Sequence, residues 1–141
     1  MSSDKLRLIA SSALLAVFIG LAGGSVDTDS GAQKVASQAA AYTLTADQLY
    51  SEYESNQVAA DAKYKDKVVE ISGSIGGIGK DITDTAYVII GGTGMLNGVQ
   101  CMFPKGQETA IGNLSKGQQI TAKGEVSSKI GNVLVRNCTI Q

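Results

Sequence analysis

The chain has 141 residues with 12 Lys+Arg against 13 Asp+Glu, a net charge of −1, so no basic field recruits nucleic acid. Aromatics make up only 5% of residues, with no Trp, which is sparse for stacking bases; His is absent, which removes the commonest general base and the commonest metal ligand. The length suits one domain with an extra segment at one end.

Residues 1–24, "MSSDKLRLIASSALLAVFIGLAGG", read as a secretory signal. Lys5 and Arg7 precede an apolar run from Leu8 to Ala22, and small residues follow. The run is about 15 residues, short of the roughly 20 that span a bilayer. Cleavage after Ala22 fits, with Gly20 and Ala22 in the key positions; the alternative is an uncleaved anchor, the one route to a membrane. Gly24 stands where a lipoprotein signal carries its lipidated Cys, so the mature chain is expected to be periplasmic or otherwise associated with the cell envelope, without a lipid.

Residues 25–41 are Ser, Asp, Thr, Gly, Ala and Gln with few apolar positions, which predicts a disordered tether. A calcium loop starting at Asp27 fails, because glycine falls at its fifth position and Gln38 replaces the bidentate Glu. The folded part, 42–141, opens with a helix expected over 46–62. Thr45 and Gln48 form a capping box, flanked by Leu44 and Leu49 at the staple positions. Leu49, Tyr53, Ala60 and Tyr64 share a face; Asn56 falls on the same stripe and reads as a cap between two short helical pieces.

After Tyr64 the apolar period becomes two. Val69, Ile71, Gly73 and Ile75 alternate with Glu70, Ser72 and Ser74 in a first strand. "KDITDT" is a turn, "AYVIIGG" a second strand, "GGTGMLN" a connection and "GVQCMF" a third strand. Gln107 to Leu114 allows a turn or two of helix. "QITAKGEVSS" and "NVLVRNCTI" are the fourth and fifth strands, the latter with an apolar slip that predicts a bulge near Arg136-Asn137. Five short strands after a helix predict an all-β fold with an N-terminal helix, closed as a small five-stranded Greek-key barrel. Gly73 and Gly124, each in mid-strand, are expected to let the strands curl.

The glycines of "VVEISGSIGGIGKD" do not make a phosphate loop. Counting back from Gly79-Lys80 gives Ser74 where glycine is required, and Asp81 follows where Ser or Thr binds magnesium. Cys101 and Cys138 make a poor metal site without His. In an oxidising compartment they read as a disulfide between neighbouring third and fifth strands, closing about 38 residues for roughly 4 kcal/mol; the alternative is two buried free thiols. No nucleophile–base motif is present, so the chain reads as non-enzymatic, with no cofactor and no metal.

The stretch "YTLTADQLYSEYESNQVAADAKYKDKVVEISGSI", with "GVQCMF", "LSKGQQITAKGEV" and "NVLVRNCTI", resembles the tRNA-anti-like family of bacterial OB-fold proteins. The marks that carry it are Leu49, Tyr53, Asn56, Ala60, Asp61, Tyr64, Gly73, Cys101, Gly117, Gly124 and Cys138. The resemblance implies an OB barrel preceded by a helix, often behind a secretion or lipoprotein signal, and brings no catalytic residues. OB barrels bind on the second and third strands and at the loops after the first and fourth. The expected binding surface is therefore Lys80, Asp81, Asp84, Tyr87, Gln100, Met102, Lys129 and Asn132. Its mixed charge suits a polar partner: a glycan, a peptide or another envelope protein. A single-stranded nucleic acid is the alternative.

Overall fold

The computed structural model describes residues 30–141. The expected signal at 1–24 and the start of the expected tether lie outside the described residues. The elements in chain order are α1 (Ser30–Ser37), β1 (Tyr42–Thr45), α2 (Ala46–Ser55), α3 (Gln57–Tyr64), β2 (Val68–Lys80), β3 (Ala86–Ile90), β4 (Val99–Met102), α4 (Glu108–Gly112), β5 (Gln119–Ile130) and β6 (Asn132–Ile140). The strand order is β1-β2-β3-β4-β6-β5, and β2 also pairs with β5, so β2 to β6 close a five-stranded barrel. β2 makes this possible by length. Its residues from Val68 to Ser74 pair with β5, and those from Ile75 to Lys80 pair with β3. All barrel pairings are antiparallel except β4 with β6, the parallel closure of an OB fold.

Alternation fills the interior. Val69, Ile71 and Ile75 of β2 meet Val88, Ile90, Val99, Cys101, Val126, Val133 and Val135 in one cluster with Leu49, Tyr53, Ala60 and Tyr64 from the helices. Each such aliphatic side chain contributes about 1.5–3 kcal/mol on leaving water. The two helical tyrosines are admitted because their hydroxyls find partners: Tyr53 donates to Asp61 Oδ1 at 2.9 Å and Tyr64 to Glu52 Oε2 at 2.7 Å.

Several sequence expectations differ from the structure. Part of the expected tether is the helix α1, and "YTLT" forms β1, a parallel strand beside β2. The helix expected over 46–62 is two helices ending at Tyr64, broken at Asn56, which is extended (φ −164°, ψ 96°). Asn56 closes α2 with its backbone N–H and caps α3 with its side chain, as its sequence reading anticipates. The bulge expected near Arg136-Asn137 is present, with Asn137 at φ 53° and a register shift opposite Lys123/Glu125.

The curl of β2 is displaced from Gly73. Pairing with β5 runs unbroken through Gly73, whereas the shift toward β3 lies between Ile75 and Gly77. Gly76 is the extra residue, and a Cβ there would lie 2.5 Å from Gly94 O. Gly73 serves close packing instead, since a Cβ there would lie 2.9 Å from Ile90 Cγ2.

The expected Cys101–Cys138 disulfide is not formed. Both thiols are free and have no solvent exposure. Cys101 lies opposite Val135, and the bulge intervenes before Cys138, so the sulfurs are neighbours but not within bonding distance. Cys138 Sγ instead donates to Val135 O at 3.5 Å. Burial, reinforced by the adjacent Cys101 thiol, pushes the Cys138 thiol well above its usual range.

Candidate ligand-binding face of the barrel

Pairing across β2, β3 and β4 sets the outer face residue by residue. Gly79 lies opposite Tyr87, which lies opposite Met102; Gly77 lies opposite Ile89, which lies opposite Gln100, and Gln100 opposite Leu134 of β6. The pleat sends Val88, Ile90, Val99 and Cys101 inward, so these two rows point outward. The Tyr87 ring lies over the gap left by glycine, because a Cβ on Gly79 would sit 2.8 Å from Tyr87 Oη. Tyr87, Gln100 and Met102 are half-buried, and Gln100 Nε2 approaches Met102 Sδ at 3.3 Å.

Ile89 points to this outer face yet is only 1% exposed. Its cover is the β3–β4 connection, 91–98: a Cβ on Gly98 would lie 3.0 Å from Ile89 Cγ2. Gly91, Gly92, Gly94 and Asn97 all have φ between 64° and 73°, and Thr93 bridges Leu96, so the chain doubles back tightly. Met95 then lies on the bare backbone of Gly77, whose added Cβ would overlap the Met95 sulfur. Asn132 fastens this flap. Its Oδ1 accepts Gly98 N–H at 3.1 Å, and its Nδ2 donates to Met95 O at 3.0 Å and to Gln100 Oε1 at 3.4 Å. Tyr50 of α2 holds the flap from the other side through Asn97 Oδ1 at 3.1 Å.

The eight expected contact residues therefore divide. Tyr87, Gln100 and Met102 form one surface. Asn132 is buried beneath the flap and its amide is committed to holding it. Lys80, Asp81 and Asp84 form the adjoining β2–β3 turn. The Asp81 carboxylate accepts Thr83 N–H at 2.8 Å, Thr83 Oγ1 at 2.7 Å and Thr85 N–H at 3.0 Å, and these bonds hold it below the usual carboxylate range. Asp84 takes Lys80 Nζ at 3.0 Å and Lys105 Nζ at 3.8 Å, and the bond to Lys80 lowers it likewise. Lys105 had no sequence signal, since its partner comes from a different turn. Lys129 stands apart from the others: its ammonium pairs with Glu54 of α2 at 2.8 Å and lies 5.3 Å from the Tyr50 ring centroid. Between this turn and α4 is a cavity of about 230 Å³ lined by Ile78, Gly79, Lys80, Ala86, Glu108 and Ile111.

Among the described residues no group of three or more Cys, Asp or Glu side chains is placed to hold a metal ion, and no helix is long and apolar enough to cross a membrane. No curated protein matches the chain. A crystal structure of a candidate nucleic acid-binding lipoprotein from Klebsiella pneumoniae subsp. pneumoniae MGH 78578 is similar, with a TM-score of 0.58 and 21% identity over 77% of this chain and 96% of that one. At that identity the likeness speaks for the fold. The tRNA_anti-like family model matches residues 5–139. A match over nearly the whole sequence, on a closed five-stranded barrel with OB strand order, places the chain in the tRNA_anti-like family of OB-fold proteins.

Proposed function

We propose that this protein is an exported, non-catalytic binding module of the cell envelope that takes a polar partner of mixed or no charge on the outer face of β3 and β4. Tyr87, Gln100 and Met102 make the contact, the Lys80–Asp81–Asp84 turn forms its rim, and Asn132 and Lys129 hold the flap and helix α2 around it. A glycan, a peptide or another envelope protein fits this chemistry. One observation carries the reading: the cations around the face already have carboxylate partners. Lys80 and Lys105 share Asp84, and Lys129, farther from the face, is on Glu54. A phosphate backbone needs free cations that release counterions, whereas Asp81 and Asp84 together match Lys80 and Lys105 charge for charge. Export is supported by the basic-then-apolar start of the chain and by the lipoprotein description of the Klebsiella protein.

Single-stranded nucleic acid is the second reading, favoured by what the Klebsiella protein is described as binding. Against it stands a face with one aromatic platform, Tyr87, already lying on Gly79. Two titrations of the full-length chain separate the readings. Labelled single-stranded DNA and RNA oligonucleotides, followed by anisotropy from low to physiological salt, are expected to show no saturable binding at the upper end. Cell-wall glycan fragments and envelope proteins, followed by amide NMR, are expected to shift Tyr87, Gln100 and Met102. Micromolar oligonucleotide affinity at physiological salt, falling steeply as salt rises, would replace the first reading with the second.

A further inference from the structure

A groove of about 640 Å³ lies away from the β3–β4 face. It is lined by Tyr42, Thr43 and Leu44 of β1, by Asp47, Gln48, Ser51 and Glu52 of α2, and by Tyr64. The lining fixes its course. Consecutive strand residues point to opposite faces, so a groove touching Tyr42, Thr43 and Leu44 alike runs along the backbone edge of β1. Positions 47, 48, 51 and 52 fall on one side of a helix, which forms the other wall. Among the described residues β1 pairs with β2 along one edge only, so its other edge has no strand partner. Edges of this kind are usually blunted by Lys, Pro or a bulge within the strand; β1 contains none of these and is four residues long.

The charges in the groove are arranged asymmetrically. At one end the chain supplies its own cation: Lys63 Nζ pairs with Glu52 Oε1 at 3.2 Å and lies 4.9 Å and 5.5 Å from the ring centroids of Tyr64 and Tyr42. The other carboxylate, Asp47, has no ion-pair partner among the described residues, and its nearest hydrogen bond is a long one from Gly92 N–H at 3.5 Å. Gln48 is already committed to the Thr45 backbone. An incoming chain thus meets backbone groups along β1, the half-buried Leu44, and a carboxylate with no ion-pair partner among the described residues.

We propose that this groove accepts an extended peptide segment of a partner protein as an added strand on β1, with a Lys or Arg of that segment facing Asp47. Backbone bonds along a short edge supply little by themselves, so the charge contact and packing on Leu44 set the preference. This site shares no contact residue with Tyr87, Gln100 and Met102, and either reading survives failure of the other.

The test uses the isotopically labelled full-length chain and three capped peptides: one alternating Lys and Val, the same with N-methylated backbone amides, and one alternating Glu and Val. The Lys peptide is expected to shift the amides of Tyr42 to Thr45. N-methylation is expected to abolish this, and the Glu peptide to bind about tenfold more weakly. Asp47→Lys is expected to reverse that order. Ser51→Trp, which fills the groove without altering the charge of the helix end, is expected to remove binding of both the Lys and the Glu peptide. The proposal is overturned if the Lys peptide leaves Tyr42–Thr45 unmoved, if the N-methylated peptide binds equally, or if the shifts fall on Tyr87 and Met102. Concentration-dependent shifts of β1 without peptide, with dimers in sedimentation, would assign the edge to a second copy of the chain and overturn it too.

Discussion

Asn132 shows how much one side chain decides at the face. It is the single buried polar side chain among the described residues, at 8% exposure, and both ends of its amide are occupied. Asn132→Ala leaves Gly98 N–H and Met95 O without this partner, a cost of about 1–3 kcal/mol, and releases the flap from Gly77. Urea unfolding should register the loss, and amide exchange should rise across 91–98. From sequence this residue reads as a ligand contact, because its place after the last turn is known but its burial is not. Tyr87, Gln100 and Met102 are legible on the outer face because alternation alone sets which way they point. A second residue-scale test concerns Tyr53. Burial first, then the bond to Asp61, raises its phenol well above the ordinary value of 10.0. Its folded value therefore exceeds its unfolded one, so its contribution is intact below about pH 10 and is lost as pH rises further. Tyr64, raised by burial and by Glu52, acts in the same direction. Unfolding free energy should decline on the alkaline side, and Tyr53→Phe should flatten that decline while lowering stability at neutral pH.

At the scale of elements, local chemistry was readable and non-local packing was not. The Thr45/Gln48 capping box and the Asn56 break are written in adjacent residues, and both are present, with Asn56 Oδ1 accepting Ala59 N–H at 3.1 Å. Asn56→Ala removes the cap of α3 and should cost about 1 kcal/mol in chemical denaturation, with helix loss concentrated in 57–64. Thr45→Ala should cost a similar amount through the start of α2. β1 escaped the sequence reading because four alternating residues carry little signal until β2 is beside them. The bend in β2 falls at Gly76 rather than at the expected Gly73, and this too depends on a distant neighbour. Both glycines sit in one run, and only the approach of Gly94 O to Gly76 distinguishes them.

For the whole molecule the consequential error is the disulfide. The five barrel strands and their adjacency were legible, and β4 does neighbour β6. Register was not: Cys101 lies opposite Val135, and the bulge at Asn137 falls between that residue and Cys138. Barrel closure thus rests on packing and ladder bonds rather than on a crosslink. Gly124 is a tight point of that packing, between β5 and β6: a Cβ there would sit 2.8 Å from Cys138 Sγ and closer still to Val135 Cγ1. Two thiols sealed inside a closed barrel react only when the barrel opens. Alkylation of the native chain should therefore be slow and should label Cys101 and Cys138 together, at a rate that tracks global unfolding as urea is raised. Gly124→Ala forces β5 and β6 apart at this point, weakens the fold by about 1–3 kcal/mol, and should accelerate labelling of both cysteines in proportion. Rapid labelling of Cys138 alone in the native chain would show that β6 frays independently, and that the barrel is not a single cooperative unit.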